Sequence, residues 1–332
     1  MAPARTSVVA LGLALGLGLA TAGCAQSLDK TAIDLAMGSA YRPPGPEALR
    51  RTMPPSRYLL LAGDFHCHVS PPDSAHHVSR DLHDTVELAR RERLDFVVLT
   101  PHIRSLFYQD PERREAARRA QALLREGLAR EFTGGVLFVP GFEYTDHRYG
   151  HVGLSFGDLE GALASVSPEE ALARPERFFE RYVASGGVLT VNHPFLEPIA
   201  SPFSFTDYDM SWRPFTAPDD VPPEIAAVDR MAQAFEAFNL NVSHLRDPLL
   251  LGDADRSLEA TLARLDREIP RRGRRMAPVG GSDSHSYYLR ATTFVLAETR
   301  TARGVRDAVL AGRTCVRNPR ACSVQVRGDE GG

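Results

Sequence analysis

Short apolar runs rich in valine, leucine and phenylalanine recur along the chain, at Tyr58–Phe65, Phe96–Thr100, Val136–Val139, Val152–Phe156, Val188–Val191, Ala234–Phe238, Pro278–Gly280 and Thr293–Leu296. Longer stretches of helical character lie between them, at Asp84–Arg93, Pro111–Phe132, Glu169–Ala184, Leu258–Glu268 and Ala302–Leu310. The alternation predicts an α/β domain. Start and stop signals sharpen one helix: Ser167-Pro168-Glu169-Glu170 joins an N-cap serine, a proline at the first helical position and a capping-box glutamate, and Gly186 closes it. Repeated strand and helix units suggest a barrel of parallel strands, whose functional groups gather at the carboxyl ends of the strands. Phe195 to Pro223, crowded with proline and aromatic residues including Trp212, has no period and reads as a long loop of the lid or specificity kind.

The first 24 residues depart from this pattern. Arg5, the apolar run Val8–Ala20 and the small residues ending at Cys24 form an export signal, too short to span a bilayer. Thr21-Ala22-Gly23-Cys24 resembles a bacterial lipobox, with threonine where leucine is usual, so Cys24 is the expected lipid anchor and the membrane is met only there. Residues 25–57 read as a tether, 58–326 as the folded domain and 327–332 as a tail; the expected location is the periplasm or cell envelope.

Composition narrows the picture little: 332 residues, 43% hydrophobic and 24% charged, are enough for one large domain. A net charge of -3 offers no global attraction to nucleic acid, so no nucleic-acid-binding domain is expected. Of the four cysteines, Cys67, Cys315 and Cys322 follow the export signal, too few for a disulfide framework. Cys315 and Cys322 flank Asn318-Pro319, and a bridge across that turn is an open expectation.

Chemistry concentrates at the strand ends. In Asp64-Phe65-His66-Cys67-His68, alternation puts both histidines on one face and Cys67 on the other. Asp73 adds a carboxylate or closes the turn after Pro71-Pro72. The later runs end in Thr100-Pro101-His102, Gly141-Phe142-Glu143, Val191-Asn192-His193-Pro194 and Ser282-Asp283-Ser284-His285, and His151 opens another. Six of the 11 histidines thus fall at strand ends, which a random scatter would not produce.

This set resembles the polymerase and histidinol phosphatase (PHP) domain, a family of metal-dependent phosphoesterases on a distorted (β/α)7 TIM-like barrel. Its H-x-H and following aspartate match His66, His68 and Asp73; its next histidine matches His102; its glutamate and histidine match Glu143 and His151. Its H-P matches His193-Pro194 and its final D-x-H matches Asp283 and His285. The match covers roughly Tyr58 to Val316. His151 is preferred over His147 because Val-Gly-Leu-Ser-Phe continues from it as a strand. Pro101 stands where many members have aspartate, a change that bears on ligand orientation or substrate rather than on metal binding. His76, His77, His83 and His244 fit no ligand position, although His76 and His77 lie near enough to Asp73 to reach substrate.

The resemblance implies a trinuclear centre. His66, His68, Glu143 and Asp283 would surround one ion, Glu143 would bridge to a second held by His151 and His193, and Asp73, His102 and His285 would hold the third. Imidazole and carboxylate without thiolate suit two to three divalent ions of zinc, manganese or iron. A hydroxide bridging two such ions is a strong nucleophile at neutral pH. Glu143, Asp283 and His285 are the expected catalytic residues, and Arg104 and Arg148 the expected grip on a phosphate, since guanidinium matches its oxygens in pairs. The leading expectation is a phosphoesterase of small phosphate mono- or diesters. The alternatives are a carboxylesterase or carbamate hydrolase, as in the branch resembling carbaryl hydrolase, and a non-catalytic metal-binding envelope lipoprotein.

Overall fold

The first strand, β1 (Leu59–Cys67), is buried at every position but the first, as expected for an apolar strand covered on both faces. In the computed structural model, residues 57–201, 204–206, 209–242, 256–290 and 292–316 are described. The export signal, Cys24, the tether up to residue 56, His244, Cys322 and the tail lie outside them.

β1 pairs in parallel with β2 (Phe96–Leu99), β2 with β4 (Leu137–Pro140), and on its other side β1 runs antiparallel to β12 (Thr293–Ala297), which carries β13 (Thr314–Val316). A second sheet runs in the order β11 (Ala277–Gly281), β10 (Ala234–Asn239), β7 (Val188–Val191), β6 (Gly150–Ser155), β5 (Phe142–Asp146), β3 (His102–Arg104). The two sheets share chain segments. β2 passes into β3 through Thr100-Pro101, where proline has no N–H for a ladder, and β4 passes into β5 through Gly141. A Cβ at Gly141 would press on the carbonyls of Leu154 and Leu99, so only glycine lets the strand cross at that point.

At the far edge β11 approaches β1 through few bonds: Asp283 N to His66 O at 2.8 Å, His68 N to Ser284 O at 3.2 Å and the isolated bridge Cys67–Ser284. Among the described residues no ladder runs all the way round. The expected distorted seven-stranded barrel of parallel strands is therefore corrected to two mixed sheets, in which β6 runs antiparallel to both of its neighbours, β5 and β7. The connection from β5 to β6, residues 147–149, is too short for anything but a reversal, because a parallel pairing needs a crossover of a dozen or more residues; β6 reaches β7 through residues 156–187, which carry helices.

The helices α1 (Leu82–Arg91) and α2 (Pro111–Leu128) start at Asp81 and Asp110, whose side chains accept from the backbone N–H of Asp84 and Arg113. After α3 (Leu159–Ala164), the helix expected over Glu169–Ala184 is two, α4 (Pro168–Ala173) and α5 (Glu176–Ala184). The break falls at Arg174 (φ −142°, ψ 75°), which the following Pro175 excludes from helical geometry. The stretch read as a loop carries a small hairpin, β8 (Ile199–Ser201) with β9 (Ser204–Thr206), and one helical turn, α6 (Arg213–Thr216). It is anchored by Met210 N to Leu196 O at 2.9 Å, Trp212 N to Pro194 O at 3.0 Å and Arg213 N to Tyr149 O at 3.0 Å. Trp212 is fully buried and its indole N–H donates to Asp229 Oδ1 at 2.8 Å. α7 (Pro223–Met231), α8 (Arg256–Arg272) and α9 (Ala302–Leu310) complete the layer. No described helix is long and apolar enough to cross a membrane.

Candidate metal centre

The end of β1 brings His66 and His68 together with their Nε2 atoms 3.1 Å apart, as strand alternation predicts. The β1–β2 register shifts between Asp64 and Cys67, a bulge of the kind that re-aims side chains beside sites. Cys67 faces the other way, fully buried, and burial pushes its thiol up to about 12. Asp64 fixes this end of the strand: its Oδ1 accepts from His66 N at 2.9 Å and Ser282 N at 3.0 Å, and burial pushes its carboxyl up to about 7.

Glu143, the second residue of β5, is the hub. Its oxygens lie 3.2 Å from His66 Nε2, 3.7 Å from His68 Nε2, 3.3 Å from His102 Nε2, 3.2 Å from His151 Nδ1 and 3.3 Å from His193 Nε2. Asp283 Oδ1 lies 3.1 Å from His68 Nε2, 3.4 Å from His66 Nε2 and 3.6 Å from His285 Nδ1. Asp73 accepts from His102 N at 2.9 Å and meets Nδ1 of His68 and of His102 at 3.1 and 3.0 Å. All nine sequence-predicted ligands thus form one contiguous cluster. Two of them, His193 (φ 25°) and Asp283 (φ 50°), occupy left-handed backbone conformations, local strain of a kind that concentrates at functional sites.

Three groupings bring ligand atoms within 4.8 Å of one another: His66 with His68 and Glu143; Glu143 with His151 and His193; and His68 with His102 and His285. In the third, His68 stands where Asp73 is expected, and Asp73 sits behind the rings of His68 and His102.

Burial pushes the Glu143 carboxyl up, but His151 and His66 outweigh it and hold the group well below the usual range. For Asp283 burial likewise opposes, and the neighbouring histidines, His66 foremost, prevail. Burial lowers His68, yet Asp283 and Asp73 raise it to about 9. At His285 burial and the charge of His68 drive the imidazole well below its ordinary value, toward the neutral form that binds metal. The test of fit to a metal is hydrogen-bond accounting. Both ring nitrogens of His151 and Nδ1 of His193 are buried without a hydrogen-bond partner; His151 Nδ1 is close to Glu143 but not in hydrogen-bond geometry. Orphaned buried nitrogens cost about 1–3 kcal/mol each, and a divalent cation among imidazoles and carboxylates satisfies them. The donor set fits such ions.

Side-chain exposure is 25% for His102 and 23% for His285, against 6% or less for the other histidines of the set, so the mouth lies over these two rings. Arg104 follows His102 by two residues on the same face of β3, opposite Thr145, and is exposed at this rim. Arg148 is exposed in the turn before β6 with its guanidinium 5.0 Å from the centre of the Tyr149 ring. His77, which fits no ligand position but was expected near enough to Asp73 to reach substrate, packs its ring edge-on against His102 and His285 at 4.8 and 4.6 Å, at the mouth. His83 meets Glu131 on the surface.

Sequence reasoning passed over three buried supports. Asn192 donates to Glu143 Oε1 at 2.9 Å, and Glu236 and Asn239 of β10 adjoin His66, His193 and Asp283. A glutamate within an otherwise apolar strand was the available signal.

No family profile and no curated protein matches the chain. Among solved structures it is similar to a two-domain protein containing a predicted PHP-like metal-dependent phosphoesterase from Bacteroides vulgatus, with 23% identity, TM-score 0.45 and coverage of 82% of this chain. The chain spans 66% of that protein's length, just under two thirds. A lesion-specific endonuclease from Pyrococcus furiosus has 16% identity and TM-score 0.43, over 78% of this chain and 58% of its own. A putative metal-dependent phosphoesterase from Bifidobacterium adolescentis has 14% identity and TM-score 0.37, over 75% of this chain and 96% of its own.

Proposed function

We propose that the protein is a metal-dependent hydrolase acting on phosphate esters. The observation that carries this reading is the convergence of five imidazoles on Glu143 while buried nitrogens of His151 and His193 have no hydrogen-bond partner. His66, His68, Glu143 and Asp283, then Glu143 with His151 and His193, then His102 and His285 with His68 or Asp73 would hold divalent zinc, manganese or iron. Bound there, such ions would supply Lewis-acid polarisation of the ester and an activated water near neutral pH. The chain's own residues do the rest. Asn192 fixes the Glu143 carboxylate. His285 Nδ1 is 2.9 Å from the carbonyl of Asp283; donating to it leaves Nε2 bare. Arg104 at the rim offers a paired grip on phosphate oxygens, and Arg148 is the second candidate.

A carboxylate ester or carbamate is the second reading. The half-buried Phe195 ring, two residues after His193, packs with Phe215 at 5.7 Å, an apolar wall suited to an aryl or acyl group. Export and lipid attachment at Cys24 complete the proposal; the mass of the mature chain tests them.

The deciding experiment is metal content of protein lacking residues 1–24, paired with hydrolysis of chromogenic phosphate and carboxylate esters. A duplex carrying an abasic site is included because similar folds occur in lesion-specific endonucleases. Metal-dependent turnover of phosphate esters is expected. Turnover of carboxylate esters alone would favour the second reading, and cleavage of the duplex would make nucleic acid the substrate. Less than one ion per chain with no turnover would leave a non-catalytic envelope protein.

A further inference from the structure

Glu236 is 2% exposed and Asn239 5% exposed, and neither belongs to the nine expected ligands. In a regular strand residues three apart face opposite sides. Here the β10–β11 register shifts between Glu236 and Phe238, and the extra residue turns Asn239 onto the face of Glu236. Its Nδ2 donates to Glu236 Oε2 at 3.0 Å and to Asp283 Oδ2 at 3.2 Å, while its Oδ1 accepts from Val242 N at 2.9 Å. That last bond fixes which way the amide points.

Two further groups meet the same carboxylate. The main-chain N–H of His193 donates to Oε2 at 2.6 Å, and His66 Nδ1 lies 3.2 Å from Oε1 and 3.4 Å from Oε2. A carboxylate taking donors on both oxygens assigns the His66 ring proton to Nδ1. With a metal bound, Nε2 would then supply the lone pair, and it is this atom that faces Glu143, Asp283 and His68. Gly281 closes the contact from β11: a Cβ there would collide with His66 Cβ and Glu236 Oε1.

We propose that Glu236 and Asn239 are a positioning pair that commits His66, His193 and Asp283 to metal binding, so that one carboxylate joins ligands of two adjacent metal positions. The proposal rests on reading the cluster as a metal centre. Carboxylates behind ligating histidines fix tautomer and ring orientation, and their loss typically weakens metal binding about 10- to 100-fold.

The test uses Glu236→Gln. Glutamine keeps the shape but has one acceptor oxygen for three donors. Its NH2 must either face His66 Nδ1, which moves the ring proton to Nε2, or face the donors of His193 and Asn239. Zinc affinity by chelator competition is expected to fall about 10- to 100-fold, with an altered absorption spectrum for the cobalt(II)-loaded protein and a circular dichroism spectrum like wild type. Asp229→Asn serves as control: it weakens the buried contacts of Asp229 with Trp212 and Arg272, and is expected to lower the melting temperature without changing zinc affinity. Asn239→Ala, which spares the Glu236–His66 contact, is expected to weaken zinc in the same direction and decides the matter should Glu236→Gln not fold. Wild-type zinc affinity and cobalt spectrum in the folded variants would overturn the positioning pair while leaving the metal centre intact. A wild-type protein that binds neither zinc nor cobalt would overturn the metal centre itself.

Discussion

At the scale of the residue, Glu143 meets five imidazoles, and no neighbour can replace a carboxylate at the centre of that ring. Glu143→Gln is expected to lower turnover by more than about 100-fold, since even outer supports of a metal site cost 10- to 100-fold; elemental analysis should show fewer ions per chain. On the proposed reading Arg104 would grip the substrate and not the metal. Arg104→Ala should raise KM for phosphate esters about 10- to 100-fold, as loss of a charge-assisted hydrogen bond of about 1.5–3 kcal/mol requires, and leave uncharged carboxylate esters unaffected. Equal loss on both substrates would remove Arg104 from phosphate recognition. Cys67 gives a check on burial. Its thiol, shielded and pushed up to about 12, carries almost no thiolate at pH 8. Alkylation at that pH should spare Cys67 in the native protein and reach it after denaturation. His66 and His68 were legible because a period of two fixes their common face. For His77 only its nearness to Asp73 was legible; that its ring lies against His102 and His285 depends on the fold of the Pro71–Ser79 turn.

At the scale of the element, the caps behave as local chemistry dictates. Asp110 starts α2 by accepting from Arg113 N at 2.9 Å, and Asp110→Ala is expected to cost about 1 kcal/mol, a fall of about 2–4 °C in melting temperature for a domain of this size. Ser167 caps α4 as its sequence predicts, but Pro175 divides the expected helix in two. That break was readable from the proline, which bars the residue before it from helical geometry. The bulges in β1 and β10 were not readable, since an extra residue is defined only against a partner strand. Without the bulge in β10, Glu236 and Asn239 three residues apart look like residues of opposite faces.

At the scale of the whole molecule, five carboxylates (Asp64, Asp73, Glu143, Glu236 and Asp283) are each no more than 8% exposed in one region. Such a concentration of acidic groups is stabilised by histidine charge and, on the reading proposed above, by divalent cations. Reloading chelator-treated protein with zinc or manganese at about 100 times its dissociation constant should stabilise the fold by about 2.7 kcal/mol, visible as a rise in melting temperature. No shift with either ion would count against a metal centre. By itself the sequence determined the order along the chain of the imidazoles and carboxylates that cluster, and the α/β alternation, because residue chemistry and strand periodicity are local properties. Only the tertiary structure decided that the strands form two mixed sheets without a closed ladder, that Glu143 is the point where the rings converge, and that Asp73 stands behind His68 and His102. It also decided that Glu236 meets His66 and that Asn239 donates to Asp283. These are relations between residues far apart in the chain, fixed by register, bulges and packing across sheets, which no local pattern encodes.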